Sequence, residues 1–163
     1  MQTTELMDIC NEAIKYVRRK LSLGAANQLR LPHNLKLARA SLYIGLRPYQ
    51  GIRLKDGPIN EAWIRAIAIG AETAEAGNCG EQAAVAYLYL LNRGVSDLDY
   101  MQRTNGDHAF VLVGRSKPSD STKPETWGAN SIVCDPWYGV VFPGSPYEIN
   151  KRRWQVASFY PGD

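Results

Sequence analysis

The segment Gly77-Asn78-Cys79-Gly80-Glu81-Gln82 places a cysteine on a glycine-containing turn, just ahead of a helix-forming run from about Glu81 to Asn92. A thiol in the first turn of a helix lies at the positive end of the peptide dipole, beside N–H groups with no helical partner. That setting draws a cysteine pKa down from about 8.5 towards neutrality and makes the thiolate available as a nucleophile. The neighbours of Cys79 are glycine, asparagine, glycine and glutamate, which build little core and permit close approach of a substrate. Downstream come Asp107-His108-Ala109-Phe110-Val111 and then Cys134-Asp135-Pro136-Trp137. Cysteine, histidine and aspartate therefore arrive in order, each at the edge of a structural element. This is the residue set of a cysteine hydrolase.

Each member has a role and a plainer alternative. His108 opens an apolar strand, where it would accept the thiol proton and later return one to a leaving group. Taken alone, it reads equally as a satisfied strand-edge residue. Asp135 would fix the imidazole tautomer and stabilise the imidazolium, or would cap the turn that Pro136 begins. Asp107 competes for that role, but adjacent side chains on a strand point to opposite faces, which argues against it. An oxyanion also needs donors. The backbone N–H of Cys79 is one, and the side chain of Asn78 or Gln82 is a candidate second; Asn78 serves equally well as a turn residue. Trp137 and Trp127 would line a cleft or fill the core. His33, following Leu31-Pro32, reads as a loop residue.

Three cysteines at 10, 79 and 134 do not form a disulfide framework. Cys10 lies on an apolar helix face and Cys134 in a strand, so both read as buried small hydrophobes. A nucleophilic Cys79 would need a reducing compartment. Zinc is the other chemistry open to Cys, His and Asp. The chain has no C-x-x-C or H-x-x-x-H pair, however, and the zinc deaminase signature is absent. No metal and no cofactor are expected.

With 163 residues, the chain fits one domain spanning 1–163 and is long enough to bury a core. Hydrophobic residues at 45% and charged residues at 21% describe an ordinary globular protein. No apolar run approaches the roughly 18 residues of a membrane span, and the polar opening Met1-Gln2-Thr3-Thr4-Glu5 does not resemble a signal peptide. The net charge is +3. Two basic clusters, Lys15-Arg18-Arg19-Lys20 and Lys151-Arg152-Arg153, read as solvated surface, with an acidic partner as the alternative. No nucleic-acid motif accompanies them.

Positioning the chemical residues falls to helices first and strands second. Leu6, Ile9, Ala13, Val17 and Leu21 form an apolar stripe that predicts a helix from Thr4 to Leu21, stopped by Gly24. A weaker pattern suggests a helix from Asn34 to Leu46, followed by a Pro- and Gly-containing loop from Arg47 to Pro58. Asn60 is placed to cap a helix from Glu61 to Ile69, and small residues from Gly70 to Asn78 lead into the cysteine turn. Gly94 stops the Cys79 helix. β-forming residues then dominate Asp107–Gly114, Ser131–Cys134, Tyr138–Phe142 and Trp154–Tyr160, with an exposed loop expected over Ser116–Thr126. That order predicts an α+β fold.

Gly-Asn-Cys at a helix start, Asp-His-Ala-Phe-Val at a strand start and Cys-Asp-Pro-Trp at a strand end together resemble the papain-like superfamily. The nearest likeness is to the compact papain-like toxin and effector domains of bacteria, including polymorphic and secretion-system toxins and YopT-like effectors. The resemblance covers Gly77 to Trp137, roughly 60 of the 163 residues. It implies a papain-like fold, with the nucleophile helix packed on an antiparallel sheet. By position it makes Cys79 the nucleophile, His108 the base and Asp135 the orienting residue. It further implies a cysteine protease acting on an intracellular protein substrate, cytoplasmic in its site of action, delivered by a secretion system and restrained by a cognate immunity protein. The similar effector deamidases and transglutaminase-like enzymes share the triad order. Two departures stand out: Thr73 occupies the position of papain's oxyanion glutamine, and the Gly-Ser-Cys-Trp motif is missing.

Overall fold

The computed structural model describes residues 1–22, 60–103, 108–144 and 156–160, the last by backbone alone. Helices α1 (Thr3–Lys20), α2 (Glu61–Ala74) and α3 (Cys79–Asn92) come first. Strands β1 (Leu98–Arg103), β2 (Ala109–Val113), β3 (Ile132–Asp135), β4 (Val140–Pro143) and β5 (Val156–Tyr160) follow. The sheet order is β4-β3-β2-β1-β5, and every pairing is antiparallel. The described residues therefore form an α+β fold. His33, Asp107, the expected helix Asn34–Leu46, the loop after it and the basic cluster Lys151–Arg153 lie outside them.

The helices form where an apolar stripe can be buried and the ends can be capped. In α1, Ile9, Cys10, Ala13, Ile14 and Val17 turn inward, while Arg18, Arg19 and Lys20 meet the negative end of the dipole. In α2, Asn60 caps the start by accepting the Trp63 N–H at 2.9 Å. This helix was expected to end at Ile69 but runs on to Ala74 through Gly70. Glycine costs a helix about 1 kcal/mol relative to alanine, and burial of Ala68, Ala71 and Ala74 along one face offsets it. The stop is Glu75, in the left-handed region at φ 57°, whose N–H reaches the carbonyls of Ala71 and Glu72. Helix α3 packs against α1, α2 and the sheet. Its Ala83, Ala84 and Ala86 are fully buried, so neighbouring backbones approach closely.

The sheet separates two clusters. Leu98, Tyr100, Ala109, Val111, Val113, Ile132 and Cys134 face the helices, while Met101, Phe110, Leu112 and Val133 pack on Trp127. Buried on both sides, β2 reads as a continuous apolar run. Strand β1 escaped the sequence reading because Asp99, Gln102 and Arg103 interrupt its apolar alternation. Asp99 is buried there and pairs with Arg115 at 2.7 Å. The largely exposed loop before β3 includes the 3₁₀ turn Pro124–Thr126 and delivers Trp127 to the second cluster. Among the described residues no helix is long and apolar enough to cross a membrane.

Leu90 is fully buried where α3 meets the sheet and helices. Leu90→Ala should cost about 2–5 kcal/mol in urea unfolding. Ile69→Ser, at a position 64% exposed, should stay within about 0.5 kcal/mol.

Candidate active site

Helix α3 begins at Cys79 itself, with Asn78 as N-cap. Asn78 and Glu81 form a reciprocal capping box, in which the Glu81 carboxylate accepts the Asn78 N–H at 3.1 Å. From the next position Gln82 Nε2 donates to the Gly77 carbonyl at 3.0 Å, in a buried bond. The first turn of α3 thus reaches back and grips both residues that precede the cysteine. Gly77 has to be glycine, since a Cβ there would overlap the Glu81 side chain. On its other flank the turn is tied to the sheet, where the Tyr100 hydroxyl donates to the Gly80 carbonyl at 3.0 Å. The Tyr100 ring stands edge-on to Trp63 of α2, 5.7 Å away.

Through these contacts Asn78 and Gln82 hold the cysteine turn, and Asn78 does so as the turn residue that sequence offered as one of its two readings. Cys79 is 7% exposed and shares its buried cluster with Ala109 of β2 and Cys134 of β3. The Tyr100 anchor lies opposite Val111. That is three residues from His108, or about 10 Å along a strand.

His108 and Asp135 meet directly. His108 stands at the entrance to β2 and Asp135 ends β3, and the antiparallel register brings these two ends together. His108 Nε2 lies 2.7 Å from Asp135 Oδ2, with both side chains buried. Binding the carboxylate through Nε2 assigns Nδ1 to any proton exchange with a thiol. The second carboxylate oxygen, Oδ1, accepts the Tyr138 N–H at 3.1 Å. Asp135 therefore performs both roles that sequence offered it, capping the turn with one oxygen and holding the histidine with the other.

Tyr138 is a neighbour of His108 and Asp135 that sequence reasoning missed. Strand β4 was expected from Tyr138, but Pro136–Gly139 form the turn of a hairpin in which Asp135 pairs with Val140. The Tyr138 ring lies 5.0 Å from the His108 ring and is tilted over it, while Phe110 stacks at 6.0 Å. Two aromatic rings thus contact the imidazole, and the outer one is 60% exposed. An aromatic in a turn leaves no periodic signal, so nothing in the sequence marked it. Trp137 is half-buried against the helix-side cluster, and Trp127 is core.

The other cysteines sit in a different environment. Cys10 and Cys134 are fully buried, and Cys134 Sγ lies 3.7 Å from the Cys10 carbonyl oxygen. Hydrogen bonding with the Cys10 side chain, followed by burial and the nearby Cys10 and Asp135 charges, pushes the Cys134 thiol well above its ordinary range. That direction favours the protonated thiol. Among the described residues no three His, Cys, Asp or Glu side chains are grouped to hold a metal ion. A cavity of about 300 Å³ lies along the later turns of α3, between Tyr16, Glu72, Leu88 and Asn92, separate from the residues above.

Gln82→Leu keeps the side chain's size but leaves the buried Gly77 carbonyl without this donor. Urea unfolding should show a loss of about 1–3 kcal/mol. A stability equal to wild type would mean that Gln82 does not hold the turn. No protein-family model matches the chain, and no curated protein sequence matches it.

Proposed function

We propose that the protein is a cysteine hydrolase in which Cys79 is the nucleophile, His108 the general base and acid, and Asp135 the orienting carboxylate. The observation that carries this reading is the buried 2.7 Å contact between His108 Nε2 and Asp135 Oδ2. Helix α3, whose first residue is Cys79, packs against β2, the strand that His108 precedes. Loss of the thiol proton to His108 Nδ1 gives a thiolate–imidazolium pair, with the cation stabilised by Asp135. The thiolate attacks an amide carbonyl carbon, forming a C–S bond and an oxyanion. The N–H groups at the start of α3 point out of the helix where that charge develops. The imidazolium gives its proton to the amide nitrogen as the C–N bond breaks and the amine departs. Water, deprotonated by His108, then hydrolyses the thioester and restores the thiol.

The substrate amide is read as a peptide bond, which makes the enzyme a papain-like protease. Its context as a bacterial effector or toxin acting on an intracellular protein, with an immunity partner, rests on the motif resemblance alone. A glutamine or asparagine side-chain amide would pass through the same acyl-enzyme, giving deamidation, or transglutamination if an amine replaces water.

Expression in a bacterial cytoplasm followed by mass spectrometry of the proteome tests this directly. Wild type should produce new peptide termini, and Cys79→Ala should lose them by a factor of at least about a thousand. A gain of about one dalton at a target side chain without backbone cleavage would replace proteolysis with deamidation. Unchanged modification by Cys79→Ala would defeat the catalytic reading as a whole.

A further inference from the structure

The basic end of α1 reaches the hairpin turn that follows Asp135. Helix α1 runs antiparallel to α3, with Glu12 meeting Arg93 and Tyr16 packed on Tyr89 at the far end of α3. The last turn of α1 accordingly lies towards the end of α3 where Cys79 stands. Arg19 and Lys20 lie over the Tyr16 ring, each 5.6 Å from its centroid. Arg18 takes another direction. Its guanidinium lies against Gly139, in the hairpin turn that carries Tyr138 over His108.

Gly139 is shaped for this approach. Its φ of +69° favours glycine, and a Cβ built there would overlap the guanidinium. Arg18 itself is exposed and forms no ion pair with any described carboxylate. The turn that carries the exposed Tyr138 ring thus also carries, at the next residue, the approach of a fork of N–H donors. A guanidinium so placed matches a carboxylate in charge and geometry.

We propose that Arg18 is a substrate-recognition residue that receives the carboxylate of an acidic residue flanking the amide attacked by Cys79. This deepens the hydrolase reading and rests on it: the substrate is an acidic segment of a protein, and Arg18 sets the preference.

Alkylation of Cys79 by a bromoacetyl dipeptide ending in glutamate amide, and by its glutamine counterpart, tests the proposal on the whole chain. Peptide mapping identifies the thiol modified. The glutamate probe should react about threefold to fivefold faster at low salt, in line with a partly exposed ion pair, and salt should erode the difference. Arg18→Gln should abolish the preference and Arg18→Glu should reverse it, while Lys15→Gln, on the same helix, should leave it intact. Thermal melts followed by circular dichroism should show each variant folded. Equal rates in wild type, or a preference that persists in Arg18→Gln, would overturn the proposal and leave the nucleophile standing. If neither probe labels Cys79, both readings are overturned.

Discussion

A carboxylate that is 3% exposed sets the terms for one end of this molecule. Burying Asp135 without donors would cost several kcal/mol, so each oxygen needs a partner. One comes from His108 and the other from the Tyr138 N–H. Satisfying them joins the entrance of β2, the end of β3 and the hairpin turn into one unit. The imidazole is fixed in the process, and the Tyr138 ring is laid over it. Remove the carboxylate and the histidine loses its orientation, while the turn loses the bond that shapes it.

The same rule acts on the other buried ionisable groups, with different consequences. Asp99 is held by Arg115, a permanent cation, through two bonds of 2.7 and 3.2 Å. That pair works as a strut between β1 and the loop after β2. Glu81 is 1% exposed and serves the cysteine turn through the capping box. Asp135 alone among these carboxylates is paired with an imidazole. An imidazole has a second ring nitrogen that can give or take a proton, which the Arg115 guanidinium lacks. The contrast among the thiols runs in parallel, since Cys134 is kept protonated in the core while Cys79 stands at a helix N-terminus.

Much of this was legible in the chain because local rules governed it. The stripe of α1, the Asn60 cap and the apolar strands β2 and β3 follow from periodicity and capping chemistry. The sequence also named His108 and Asp135 as a pair, and the two meet. Legibility failed where distant partners decided the outcome. Strand β1 contains a buried Asp99 that makes sense only once Arg115 is beside it. Gln82 looks like a free amide in the sequence, yet its partner is a carbonyl five residues earlier that a folded turn presents. Tyr138 sits over His108 because Asp135 shapes the hairpin, and α2 extends past Gly70 because its alanines are covered by α3. In each case a tertiary contact overrode or supplied what composition could not.

The central claim is that His108, held by Asp135, governs the ionisation of Cys79. The rate at which iodoacetamide alkylates Cys79, followed across pH 4–9 in wild type and in His108→Ala, measures this most directly. A thiolate–imidazolium pair predicts that wild type retains alkylation below about pH 6. His108→Ala should react only as the pH climbs towards the ordinary thiol value of about 8.5. Superimposable profiles would contradict the account, because the helix alone would then set the thiol and His108 would have no part in activating it.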